Sequence, residues 1–98
     1  MFTGVLAVDL LLGDVHSLKQ KRSVVRPIVA ELRRKYDVSA AETGHLDLHR
    51  RTLVGVAVVA VDSGHVTDVL DACERLLLGR PEVEVLSTAR RSYALTDE

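Results

Sequence analysis

What most limits the fold of this chain is the order in which its hydrophobic periodicity changes. It runs strand, helix, strand, strand, helix, strand within 98 residues, a length that suits one domain. From Phe2 to Leu12 the residues are apolar and β-prone. The parity Gly4, Leu6, Val8, Leu10, Leu12 is wholly non-polar, whereas the other carries Thr3 and Asp9, so the first is expected to face the core. Gly13-Asp14 is turn chemistry, and Ser17 reads as a helix N-cap. Leu18, Val25, Val29, Leu32 and Tyr36 then recur at helical spacing. Pro27 interrupts that helix and is expected to kink it or split off its first turns, with Ser23 as an alternative N-cap.

Residues 37–43 read as a short second strand, 45–50 as a polar connection, and 51–61 as the clearest strand of the chain. Asp62 or Ser63 caps a second helix whose stripe is Val66, Val69, Leu70, Cys73, Leu76 and Leu77. Gly79 ends it, with Pro81 just beyond. The last strand is expected over 82–92, and 95–98 is expected to be a loose tail.

Four strands and two helices in this order suit an α+β, ferredoxin-like βαββαβ two-layer sandwich spanning 1–98 as a single domain. Right-handed crossovers put both helices on one face of a four-stranded antiparallel sheet of order 4-1-3-2. That topology places the first strand–helix turn with His16, the hairpin from His45 to Arg50, and the turn at Arg80 at one end, and His65 at the other. The third strand is apolar on both parities, so both of its faces should be buried, yet helices cover only one. A second copy of the chain is the expected cover, with Val54, Val56 and Val58 as candidate dimer-face residues.

Nearly half of the residues are apolar and the formal charge is −1, so a polyanion could be held only by a local patch. The single cysteine, Cys73, rules out an internal disulfide, fits a reducing compartment and reads as core. Met1 to Val5 runs straight into a strand pattern, so no leader is expected, and no apolar run approaches roughly 20 residues. A soluble cytoplasmic protein is expected. Seven of the 13 basic residues fall between Lys19 and Lys35, and Lys19, Arg22, Arg26 and Arg33 form a band about 60° wide on the first helix. Lys19, Lys21 and Arg22 lie near the helix start, where free N–H groups favour anions.

His45 and His49, with Glu42 and Asp47, have i, i+4 spacing but lie in a hairpin and lack a cysteine, so they are not read as a metal site. The chain has no glycine-rich phosphate loop, nucleophile elbow or zinc signature, no asparagine such as acylphosphatases need, and no Cys-x-x-Cys. No enzyme activity and no cofactor is expected. Only Phe2, Tyr36 and Tyr93 are aromatic, so base stacking on the sheet is not expected either.

The chain resembles the YlxP-like family of small bacterial proteins of unknown function. The likeness rests on residues 17–22 (SLKQKR) with Val24-Val25-Arg26, on 38–42 (VSAAE), on 45–48 (HLDL), on 53–59 (LVGVAVV) and on 81–85 (PEVEV). The resemblance implies a ferredoxin-like fold and, because family genes often adjoin those of translation initiation and ribosome maturation, a ribosome-linked role. It supplies no binding residues. His49 stands where many relatives carry a bulky aromatic, which argues against base stacking there.

The combined expectation is a non-enzymatic homodimer that contacts RNA or a ribosome-assembly intermediate, without DNA or membrane. Lys19, Lys21, Arg22 and Arg26 would meet phosphates, and His45, Asp47, His49 and Arg50 would add shape or hydrogen-bond recognition. The alternative is a protein–protein adaptor or small-ligand sensor working through the apolar sheet face.

Overall fold

In the computed structural model, which describes residues 1–96, the elements follow the expected order. They are β1 (Phe2–Leu12), α1 (Leu18–Tyr36), β2 (Ser39–Gly44), β3 (Arg51–Ala60), α2 (Ser63–Leu78) and β4 (Val83–Ala94). The sheet order is β2-β3-β1-β4, the expected 4-1-3-2 read from the other edge, and every pair is antiparallel.

Alternation on β1 sets the layering. Leu6, Val8, Leu10 and Leu12 are fully buried beneath the helices, together with Ile28, Leu32, Leu70, Cys73 and Leu77. Gly4 lies in the same row because α2 passes directly over it: a β-carbon there would collide with Val66 and come within 2.9 Å of Leu70. α1 lies mainly over β2, and α2 crosses β1, β3 and β4.

The register between β1 and β3 corrects one expectation. Val58, Val56 and Val54 stand opposite Gly4, Leu6 and Val8, so they share the helix-covered face. Their exposures of 7%, 3% and 0% place them in the monomer's own core. The three valines proposed for a dimer face are therefore not surface residues. The open face is formed by the other parity: Leu53, Gly55, Ala57 and Val59 on β3, opposite Asp9, Ala7, Val5 and Thr3 on β1.

α1 is continuous from Leu18, so Pro27 neither splits it nor makes Ser23 an N-cap. Pro27 and Ser23, whose carbonyl loses its helical donor, both lie on the exposed side, where water can serve that carbonyl. Asp37 ends the helix in the left-handed region, at φ 51°. Gly79 does end α2, but in right-handed geometry, so its special freedom is not used.

β4 starts one residue later and ends two residues later than expected. Beyond it, the Leu95 N–H donates to the Met1 carbonyl at 2.8 Å, and the Met1 amino group donates to the Leu95 carbonyl at 3.0 Å. Of the segment 95–98 expected to be loose, Leu95 is thus tied back to the strand start, and residues 97–98 lie outside those described.

Candidate functional site

α1 begins where its sequence supplies caps. The Ser17 hydroxyl accepts the Gln20 N–H at 3.1 Å, and the Gln20 side chain reaches back to accept the His16 N–H at 2.6 Å. This fixes the direction of a helix start that carries Lys19, Lys21 and Arg22.

Those three cations have different fates. Lys21 is four residues before Val25 and seven before Ile28, so it falls on the buried stripe and is only 2% exposed. Its ammonium lies 2.8 Å from the Glu42 carboxylate and donates to the His45 carbonyl at 2.7 Å. Glu42 also accepts the hydroxyl of the fully buried Thr52 at 2.7 Å. A buried charge needs such partners, and Lys21 has them inside the protein. It is therefore a clamp between α1 and the β2–β3 hairpin, and it is removed from the set of phosphate contacts.

Lys19, Arg22 and Arg26 lie on the exposed side. Among the described residues, none of the three has a carboxylate within ion-pair distance. Arg22 Nε turns only to the Leu18 carbonyl, at 3.4 Å. Arg33 Nε donates to the Ala40 carbonyl at 2.9 Å, which ties the far end of the same band to β2. Two contiguous grooves follow this band. One, of about 460 Å³, lies between α1 and β2 and is lined by Arg22, Arg26, Arg33 and Glu42 among others. The other, of about 510 Å³, is lined by Lys19, Arg22, Ser23, Arg26 and Pro27. The remaining basic residues of the helix end, Arg34 and Lys35, face Glu31 at 3.8 and 3.7 Å.

The hairpin meets this end of α1, as the topology requires. Residue by residue, however, two of its four polar side chains, His45 and Arg50, are occupied. His45 adopts a left-handed backbone, at φ 57°. Its ring Nε2 lies 3.3 Å from an Asp9 carboxylate oxygen. Arg51 grips the same carboxylate through two bonds of 3.1 and 2.6 Å. These bonds from Arg51 outweigh burial and, with His45, hold the Asp9 carboxyl below its usual range. Asp9 in turn raises the Arg51 guanidinium.

Arg50 Nε donates to the Leu12 and Gly13 carbonyls at 3.2 and 2.8 Å, closing the end of β1. Arg50 and His45 therefore shape the hairpin, whereas Asp47 and His49 are exposed at its tip beside the exposed Leu46 and Leu48. His16 faces Asp14 at 2.6 Å. Arg80 reaches Glu31 at 3.1 Å; its Nε is 3.2 Å from Glu82 but not aligned for a hydrogen bond. Among the described residues no three His, Cys, Asp or Glu side chains are placed to hold a metal ion. Burial pushes the Cys73 thiol up to about 11, against a smaller opposing influence of Arg90, so it is a packing residue rather than a nucleophile.

The segments that carry this geometry, the SLKQKR helix start and the hairpin it clamps, fall within residues 3–90, which match the family described as "Protein of unknown function (DUF503)". The chain belongs to the DUF503 family. It is also 30% identical over 81 residues to the "Uncharacterized protein YlxP" of Bacillus subtilis (strain 168), covering 83% of this chain and 88% of that protein. The resemblance read from the sequence is thus confirmed, and DUF503 membership carries no assigned activity. No helix is long and apolar enough to cross a membrane among the described residues.

Proposed function

We propose that this DUF503 protein is a non-enzymatic, cytoplasmic binder of RNA or of an RNA-bearing ribosome-assembly intermediate, and that Lys19, Arg22 and Arg26 are its phosphate contacts. The observation that carries this reading is the lack of any ion-pairing carboxylate beside these three cations among the described residues, although the chain as a whole is slightly acidic. A solvated helix face is usually balanced by neighbouring acids, as Arg34 and Lys35 are by Glu31. Guanidinium groups left free along two grooves suit the oxygens of successive phosphates. Asp47 and His49 at the hairpin tip lie at the same end and would add hydrogen bonds to exposed bases or ribose.

The test is fluorescence anisotropy of a short labelled RNA with the wild type and the Arg22→Glu/Arg26→Glu double variant. The variant should bind at least about tenfold more weakly at moderate salt while keeping its helical circular dichroism. Equal affinities would contradict the reading.

A second reading, an adaptor or small-ligand sensor working through the open sheet face, is favoured by an apolar trough of about 420 Å³ on that face. It calls for binding that ignores salt and responds to a charge placed at Ala57 or Ala89. Val56 and Val58 are unsuitable for that test because they lie in the core.

A further inference from the structure

The open face of the sheet has an internal pattern that fits itself. Its floor is a row of small residues, Ala41, Gly55, Ala7 and Ala89, which the register places side by side across the four strands. The next row towards the hairpin carries Leu53, Asp9 and Ser87. Beyond these two rows, Val5 stands next to Arg91 on one side, and Leu11 next to Glu84 on the other. Asp9 and Arg51 satisfy each other within the chain. That leaves Arg91 and Glu84 as the charges of this face without an ion-pair partner among the described residues, both exposed and both on β4. They lie about equally far from the line between the Ala7 and Asp9 rows.

We infer that this face is covered by a second copy of the chain, packed about a two-fold axis that runs across the strands between those rows. Such an axis reverses each strand onto its own copy. Arg91 of one protomer meets the partner's Glu84 twice over, and Val5 meets the partner's Leu11. From Thr3 to Leu11 the face extends about 27 Å, and four strands make it about 19 Å wide. Two copies then bury roughly 1,000 Å², which reaches the lower bound of a specific interface. The α1 stripes are left outside the contact, so this inference does not depend on RNA binding.

The test is sedimentation equilibrium of the purified chain and three variants. The wild type should dimerise in the micromolar range. Arg91→Glu should weaken the dimer by at least about tenfold, because like charges then face each other. Arg91→Glu combined with Glu84→Arg should restore it. Ala89→Glu, at an exposed edge position that leaves the monomer core untouched, should give a folded monomer. A monomeric wild type would overturn the proposal and leave the face to a peptide or small ligand. A dimer indifferent to these substitutions, or a charge swap that fails to restore association, would overturn it as well.

Discussion

The Lys21 ammonium and the Glu42 carboxylate lie 2.8 Å apart beneath α1, with Lys21 almost wholly buried and Glu42 about a quarter exposed. The pair joins the first helix to the hairpin, and its remaining hydrogen bonds go to Thr52 and the His45 carbonyl. Breaking a buried pair strands one charge. Lys21→Met should therefore cost about 2 kcal/mol, reduced from the fully buried value because water reaches Glu42. Lys19→Met, two residues away on the exposed side, should change stability by no more than about 0.5 kcal/mol. Urea unfolding of the two variants measures the contrast. Equal effects would mean that Lys21 is not the clamp described.

Gly4 faces the underside of α2. An added methyl would press on Val66 and Leu70, and in a close-packed core that displaces the helix or forces poor rotamers. Gly4→Ala should lower stability by about 1–3 kcal/mol, read as a lower thermal midpoint. Gly13→Ala, where an added methyl would sit 3.9 Å from the Glu82 carbonyl oxygen, should have little effect.

The Asp9 carboxyl titrates below its ordinary value because Arg51 bonds to its charged form. A group with a depressed folded pKa contributes stability above its unfolded value of about 3.9, and that contribution fades as pH falls through the folded value. The stability difference between wild type and Asp9→Asn should thus be largest near neutral pH and shrink below about pH 4. Denaturant melts across that range give the answer, and a difference independent of pH would remove the Asp9–Arg51 account.

Much of this was legible in the sequence because local rules agree with the global fold. β1 ends at Leu12 as its alternation requires, and Ser17 caps α1 as its position suggests. The order of elements alone brought the helix start and the hairpin to one end. Lys21 departs from the expected phosphate contacts because its spacing to Val25 and Ile28 puts it on the apolar stripe, where position on the helix prevails over charge. The Val54 parity was not decidable from β3 itself, because both parities are apolar and a slip of one residue exchanges the faces. Only the pairing of Val8 with Val54 decides it. The Asp9–Arg51 pair joins residues 42 apart in sequence, and no local pattern announces such a contact.

Lys19, Arg22 and Arg26, which have no ion-pair partner among the described residues, are the phosphate ligands of the proposed function, and the salt dependence of RNA binding tests that most directly. Titrating wild-type affinity for a single-stranded RNA against salt should give a log–log slope of about −2, the value for roughly three neutralised phosphates. A slope near zero, or no measurable binding at low salt, would contradict the account.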